Sequence, residues 1–270
     1  MKELISSIIG CIGAGNMGGA IISGISEFLP PANIFVYDKD ESKARHISNL
    51  YGTSRAETIE DAARICDIVI VAVKPDIVPD VLHKLKPYCK SKTLVSVAAG
   101  VTIHELESIL GDSQKIIRAM PNTPCLVKEG MSVLAANQAA DDETLERVKE
   151  LFSKIGTAII MPEKYMDAVT GVSGSGPAYV FTFIQAMADG AVKMGLPRKE
   201  ALILTAQTVL GAAKMALHEN TNPIELRDGV ASPGGTTIEA IHVLEERGFA
   251  GIVMSAIEAA VKKSRNMGNE

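Results

Sequence analysis

The chain has 270 residues, enough for one large domain or two modest ones, and 47% of them are apolar while only 4% are aromatic, so its core must be built from Ala, Val, Ile, Leu and Met. A net charge of −5 with scattered basic residues gives no general attraction for nucleic acid or an acidic membrane surface. Four cysteines without a C-x-x-C pair and five dispersed histidines offer no metal-ligand spacing, which predicts reduced, buried thiols in a cytoplasmic protein and no metal.

Met1–Ser6 lead straight into the first apolar run, which leaves no room for a signal or transit peptide. No apolar stretch of about eighteen residues runs unbroken, so no membrane span is expected. The run Ile8–Ile12 feeds Gly13-Ala14-Gly15-Asn16-Met17-Gly18, a G-x-G-x-x-G turn between a strand and a helix. There Gly13 allows the tight turn, Gly15 removes the side chain that would hold a pyrophosphate off the backbone, and Gly18 lets helix and strand pack closely. The diphosphate would meet the N–H groups and positive dipole end of the helix. A second apolar run, Ile34–Tyr37, ends at Asp38, about twenty residues past Gly18, where this fingerprint places a carboxylate for the ribose.

Further on, the pattern predicts a helix over 41–50, a weak strand near Gly52, a short helix capped by Thr58 or Thr53, a strand over 67–73 stopped by Lys74-Pro75, and a helix over 79–85. A strand at 93–97 ends in Ala98-Ala99-Gly100, and Thr102 and Glu105 have capping-box spacing at the start of a helix to Leu110. Strands follow at 115–120 and 130–136, then a helix over 141–155 and a last strand at 158–161. From Pro162 the segments become long, alanine-rich and helical in period. The expected organisation is a doubly wound α/β domain over 1–161 and an all-helical domain over 162–270. The first long helix is expected to start at Ser173-Gly174-Ser175-Gly176-Pro177, with a serine cap and a proline in its first turn. It is apolar on nearly every face, so a partner subunit is expected to cover it. Further helices are expected over 197–218, after Asn222-Pro223, and over 249–266.

Ligands of a doubly wound sheet lie beyond the carboxyl ends of its strands, which selects Gly13–Gly18, Asp38-Lys39, Ala72-Val73-Lys74-Pro75, Ala98-Ala99-Gly100 and Met120–Pro124 with Asn122. Ser232-Pro233-Gly234-Gly235-Thr236-Thr237, directly before a helical pattern, reads either as an anion site of backbone N–H groups and hydroxyls or as a plain capped helix.

Taken together, Ile12–Met17, Ala72–Pro75, Ala98–Thr102, Arg118–Pro124, Gly171–Tyr179 and Ser232–Thr237 resemble the pyrroline-5-carboxylate reductases, in order and over nearly the whole length. The resemblance implies reduction of 1-pyrroline-5-carboxylate to proline with NADPH or NADH, a helical domain that dimerises by interlocking, and a ring of dimers such as a decamer. It implies Thr237 at the imine nitrogen, with Ser175, Ser232, Gly234, Gly235 and Thr236 around the substrate. It also implies a cofactor held by Gly13, Ala14, Gly15, Asn16, Met17, Gly18, Asp38, Lys39, Ala72, Val73, Lys74, Pro75, Ala98, Ala99, Gly100 and Asn122, with Lys74 acting through its backbone. Relatives that prefer NADP usually carry Ser, Thr or Arg around the end of the second strand, where this chain has Tyr37-Asp38-Lys39-Asp40, a departure that favours NADH. Two alternatives stay open. A β-hydroxyacid dehydrogenase would need a central-helix lysine followed one turn on by asparagine, which Lys193 lacks. A redox sensor that binds NAD(P) without turnover would not need the Ser232–Thr237 turn.

Overall fold

The computed structural model describes residues 6–218 and 222–267. Residues 1–5, on which the reading of the N-terminus rests, lie outside the described residues. Two compact units emerge: residues up to Ser175 together with those from Ala260 onward, and Gly176–Ala259.

In the first unit, β-branched runs too short for helices make strands and amphipathic segments cover them. The order is β1 (Ile9–Ile12), α1 (Asn16–Ile25), β2 (Ile34–Tyr37), α2 (Glu41–Tyr51), β3 (Ser54–Arg55), α3 (Ile59–Ile65), β4 (Ile68–Val71), α4 (Val78–Leu85), β5 (Thr93–Ser96), α5 (Ile103–Leu110), β6 (Lys115–Met120), β7 (Gly130–Ala136), α6 (Asp142–Phe152) and β8 (Gly156–Ile160). Among the described residues the sheet has eight strands in the order β3-β2-β1-β4-β5-β6-β7-β8. It is parallel from β3 to β6, and β7 runs antiparallel to β6. That reversal differs from the parallel pattern read from the sequence: a short 3₁₀ turn, Thr123–Val127, returns the chain beside β6 without a crossover helix. The winding direction switches between β1 and β4, where Ile12 lies in register with both Tyr37 and Val71.

The core fills both faces. Ile9, Ile21, Ile22, Ile34, Ile70 and Phe152 pack in one layer, and Ile12, Val69, Val71, Leu82, Leu94 and Leu106 in the other. Truncating a residue as buried as Phe152 to alanine would cost about 3–5 kcal/mol. Side chains cap most of the covering helices. Asp40, Thr58, Thr102 and Asp141 each accept a backbone N–H from the first turn that follows, and Thr102 and Glu105 form the complete capping box. Thr58 rather than Thr53 is thus the cap of α3. The weak strand lies at Ser54–Arg55, because Gly52 (φ +70°) is spent on ending α2.

One expectation fails outright. The long helix does not start from a serine cap: the chain is already helical from α7 (Met166–Val169), passes through a π-turn at Thr170–Gly174, and continues through Ser175, itself in the right-handed region, into α8 (Gly176–Lys193). Ser173 bonds back to the Val169 carbonyl at 3.1 Å instead of capping anything ahead of it.

The second unit holds α8, α9 (Arg198–Leu217), α10 (Pro223–Val230), α11 (Thr236–Glu246) and most of α12 (Phe249–Met267). Within α8 only Ala188 is buried, and Phe181, Ile203, Leu204, Met215, Ile252 and Met254 stand exposed on this unit. By length and composition alone, α9 could cross a membrane.

Candidate active site

The first site element is a helix start that no side chain caps. Gly15 precedes α1 without a side-chain bond, and Gly19 N–H is the first to find an intrahelical carbonyl, that of Gly15, at 2.8 Å. The N–H groups of Asn16, Met17 and Gly18 are left for a ligand. Gly13 adopts φ +108° and donates its N–H to the Tyr37 carbonyl at 2.7 Å, which ties the turn to the end of β2. A Cβ on Gly13 would collide with the Ala72 carbonyl, and one on Gly18 with the Gly13 carbonyl. By contrast, a Cβ on Gly15 would meet no protein atom within 4 Å. The protein therefore has no packing reason for glycine at 15, and the open space suits a pyrophosphate against the backbone.

Asp38 is the second element. Its Oδ2 accepts from Ala14 N–H at 2.7 Å and its Oδ1 from Asp40 N–H at 2.8 Å, so the carboxylate is fixed beside the turn with a lone pair on each oxygen still available. Gly13, Gly15, Asp38, Lys39, Ala72, Val73 and Lys74 meet in one cleft of about 520 Å³ at the β1/β4 switch point. Sequence reasoning missed the rest of its wall: Lys43, Ile59, Ile77, Asp80, Val81 and Lys84. Their positions depend on how α2, the start of α3, and α4 with the turn before it face the cleft, and no local signal carries that. Ala14 and Asn16 line a separate groove along α1, whereas Pro75, Ala99 and Gly100 line another between α4 and α5. Met17 is partly buried against the core. Ala98, at the end of β5, is buried. Beneath the turn, burial and then the Asp38 charge push the Cys11 thiol up to about 12, so it stays neutral and inert.

Asn122, expected among the cofactor contacts, has its side chain committed to the protein. Its side chain is engaged at both ends by backbone, through Met131 N–H and the Ser173 carbonyl.

The third element lies in the second unit. Gly234 takes φ +67° and Gly235 precedes α11, again without a side-chain cap. Gly235 N–H closes the turn onto the Ser232 carbonyl at 3.0 Å, and a Cβ on Gly235 would collide with the Ser232 hydroxyl. Neither Ser232 nor either threonine caps the helix, so the plain-cap alternative fails. The N–H groups that open α11 and the half-buried Thr237 hydroxyl remain for an anion. His104 and His242 are both exposed.

An uncapped glycine turn at the switch point of a parallel sheet, with a fixed carboxylate ending β2, defines an NAD(P)-dependent oxidoreductase of the Rossmann class. A family model for NADP oxidoreductases, coenzyme F420-dependent, matches residues 8–100, and one for pyrroline-5-carboxylate reductase dimerisation matches residues 163–267. The pyrroline-5-carboxylate reductase of Escherichia coli (strain K12) is 45% identical over 262 residues, covering 96% of this chain and 97% of its own. A pyrroline-5-carboxylate reductase structure from Coxiella burnetii superposes with a TM-score of 0.92 at 35% identity, covering 97% of this chain and 98% of that one. That of Plasmodium falciparum pyrroline carboxylate reductase, with NADP bound, gives 0.87 at 37% identity and the same coverage. The chain belongs to the pyrroline-5-carboxylate reductase family. Its helix α9 falls inside the dimerisation match.

Proposed function

We propose that this chain reduces the C=N bond of 1-pyrroline-5-carboxylate to give L-proline, the last step of proline biosynthesis, using the uncapped starts of α1 and α11 as its two anion sites. The turn Gly13–Gly18 holds the cofactor diphosphate, with Asp38 on the ribose, Lys39 beside it, and the strand ends Ala72–Pro75 and Ala98–Gly100 against the ring. When bound, the reduced nicotinamide supplies the hydride. Ser232, Gly234, Gly235 and Thr236 hold the substrate carboxylate, Ser175 lines the same pocket, and the Thr237 hydroxyl hydrogen-bonds the ring nitrogen. A threonine hydroxyl is too weak an acid to protonate an imine alone, so Thr237 orients the nitrogen and relays a proton from water. The rest of the rate comes from placement.

The observation that carries this reading is α11 starting at Gly235 with no side chain on its N–H groups. Asp38, held by two backbone N–H groups, cannot swing away from a 2′-phosphate, so NADH is used as well as NADPH or in preference to it; Lys39, Lys43 and Lys84 in the cleft partly offset the repulsion. Residues 162–270 form the dimerisation and substrate domain, whose exposed apolar helices a second copy covers; dimers can join further into a ring such as a decamer. The enzyme acts in the cytoplasm. Thr237→Ala tests the site: turnover should fall about 10²-fold with NADH affinity unchanged, and unchanged turnover would remove Thr237 from the imine.

A further inference from the structure

Asn122 is 9% exposed, and its amide joins two separate elements. Oδ1 accepts from Met131 N–H at the start of β7 at 2.8 Å, and Nδ2 donates to the Ser173 carbonyl at 3.0 Å. The second bond answers a defect written in the sequence. In a continuing α-helix the Ser173 carbonyl would accept from the N–H of residue 177, and Pro177 has none. A carbonyl orphaned in that way needs another donor, and Asn122 supplies it.

The carbonyl belongs to the π-turn, where Ser175 N–H reaches back five residues to Thr170 at 2.8 Å. Such turns are frequent at functional sites and shift the angular register of whatever follows them. Packing holds this one closely, since a Cβ on Gly174 would lie 2.9 Å from Met120 Cε. Its other hydroxyls are spent on the helix behind them, Thr170 on the Met166 carbonyl and Ser173 on that of Val169. The half-buried Ser175 hydroxyl has no hydrogen-bond partner among the described residues.

We propose that Asn122 is a positioning residue for the imino-acid substrate: by holding the Ser173 carbonyl that Pro177 leaves unpaired, it fixes the π-turn and with it the direction in which Ser175 offers its hydroxyl. The proposal rests on the reading of Ser175 as part of the substrate pocket. It assigns Asn122 to the substrate side, acting through Ser175, and not to the cofactor.

The test compares wild type with Asn122→Ala, Ser175→Ala, the double variant, and Asn122→Ala combined with Pro177→Ala, which returns an N–H to residue 177. KM for pyrroline-5-carboxylate is measured beside NADH affinity from fluorescence titration. In Asn122→Ala that KM should rise about tenfold with NADH affinity nearly unchanged. The double variant should be no worse than Ser175→Ala, because the two residues act in series. Pro177→Ala should recover most of the loss, which a merely structural role for Asn122 does not predict. Were Asn122→Ala to unfold, Asn122→Asp keeps the acceptor for Met131, loses the donor, and carries the same contrast. Equal changes in KM and NADH affinity, additive effects in the double variant, or Ser175→Ala with an unchanged KM would each overturn the proposal. A wild-type protein inactive on the imino acid would instead overturn the functional reading beneath it.

Discussion

At the two candidate anion sites α1 begins after Gly15 and α11 after Gly235 with no side-chain cap, while α2, α3, α5 and α6 are capped by Asp40, Thr58, Thr102 and Asp141. The capped starts satisfy their own N–H groups, whereas the glycine starts leave theirs for something that arrives from solution. The two glycine starts also differ from each other. Around α1, Gly13 and Gly18 are forced by neighbouring carbonyls and only Gly15 faces open space; around α11, Gly234 is open and its constraint is a positive φ. Within the α1 turn, Gly13 and Gly18 protect the fold, and Gly15 leaves room for the ligand.

That distinction can be broken at several points. The largest effect is expected from Gly18→Ala, whose methyl cannot avoid the Gly13 carbonyl; overpacking of this kind costs roughly 1–3 kcal/mol or more, visible as a lowered Tm in thermal unfolding. Gly15→Ala should leave Tm nearly unchanged but weaken NADH binding about tenfold or more in a fluorescence titration, since the methyl occupies only the ligand's space. A Tm loss at 15 equal to that at 18 would erase the contrast. Asp38→Ser removes the carboxylate that Ala14 and Asp40 hold, and the ratio of kcat/KM for NADPH over NADH should rise about tenfold; an unmoved ratio would take Asp38 out of cofactor choice.

The smallest effect belongs to a capped start. The bond from Lys115, followed by those from Thr144, holds the exposed Asp141 carboxyl below the usual carboxylate range. A depressed folded pKa stabilises above the unfolded value, about 3.9, and that contribution disappears as pH falls through the lower folded value. Asp141→Asn should therefore reduce stability slightly at neutral pH and converge with wild type in strong acid, as acid-unfolding curves would show.

Much of this was legible in the sequence because it is local. Gly13–Gly18, Asp38 and the Thr102–Glu105 box are each set within a few residues of a strand or helix end, and the structure places the glycine turn, the carboxylate and the cap where spacing put them. What escaped was set by tertiary contact or by a break in period. The π-turn reads as a serine cap because Gly171–Pro177 is rich in glycine and serine, and helical continuity from Met166 shows only in the backbone. The bond from Asn122 to Ser173 escaped because the two lie 51 residues apart. Lys43 and Lys84 carry no sign of the cleft they line, which depends on the faces α2 and α4 present.

The central claim is that the uncapped starts of α1 and α11 serve one reduction, and initial-rate oxidation of NADH and of NADPH with pyrroline-5-carboxylate as the acceptor tests it most directly. The account predicts turnover that yields proline, with NADH at least as effective as NADPH. Protein that binds either cofactor yet oxidises neither in the presence of this imino acid would contradict it.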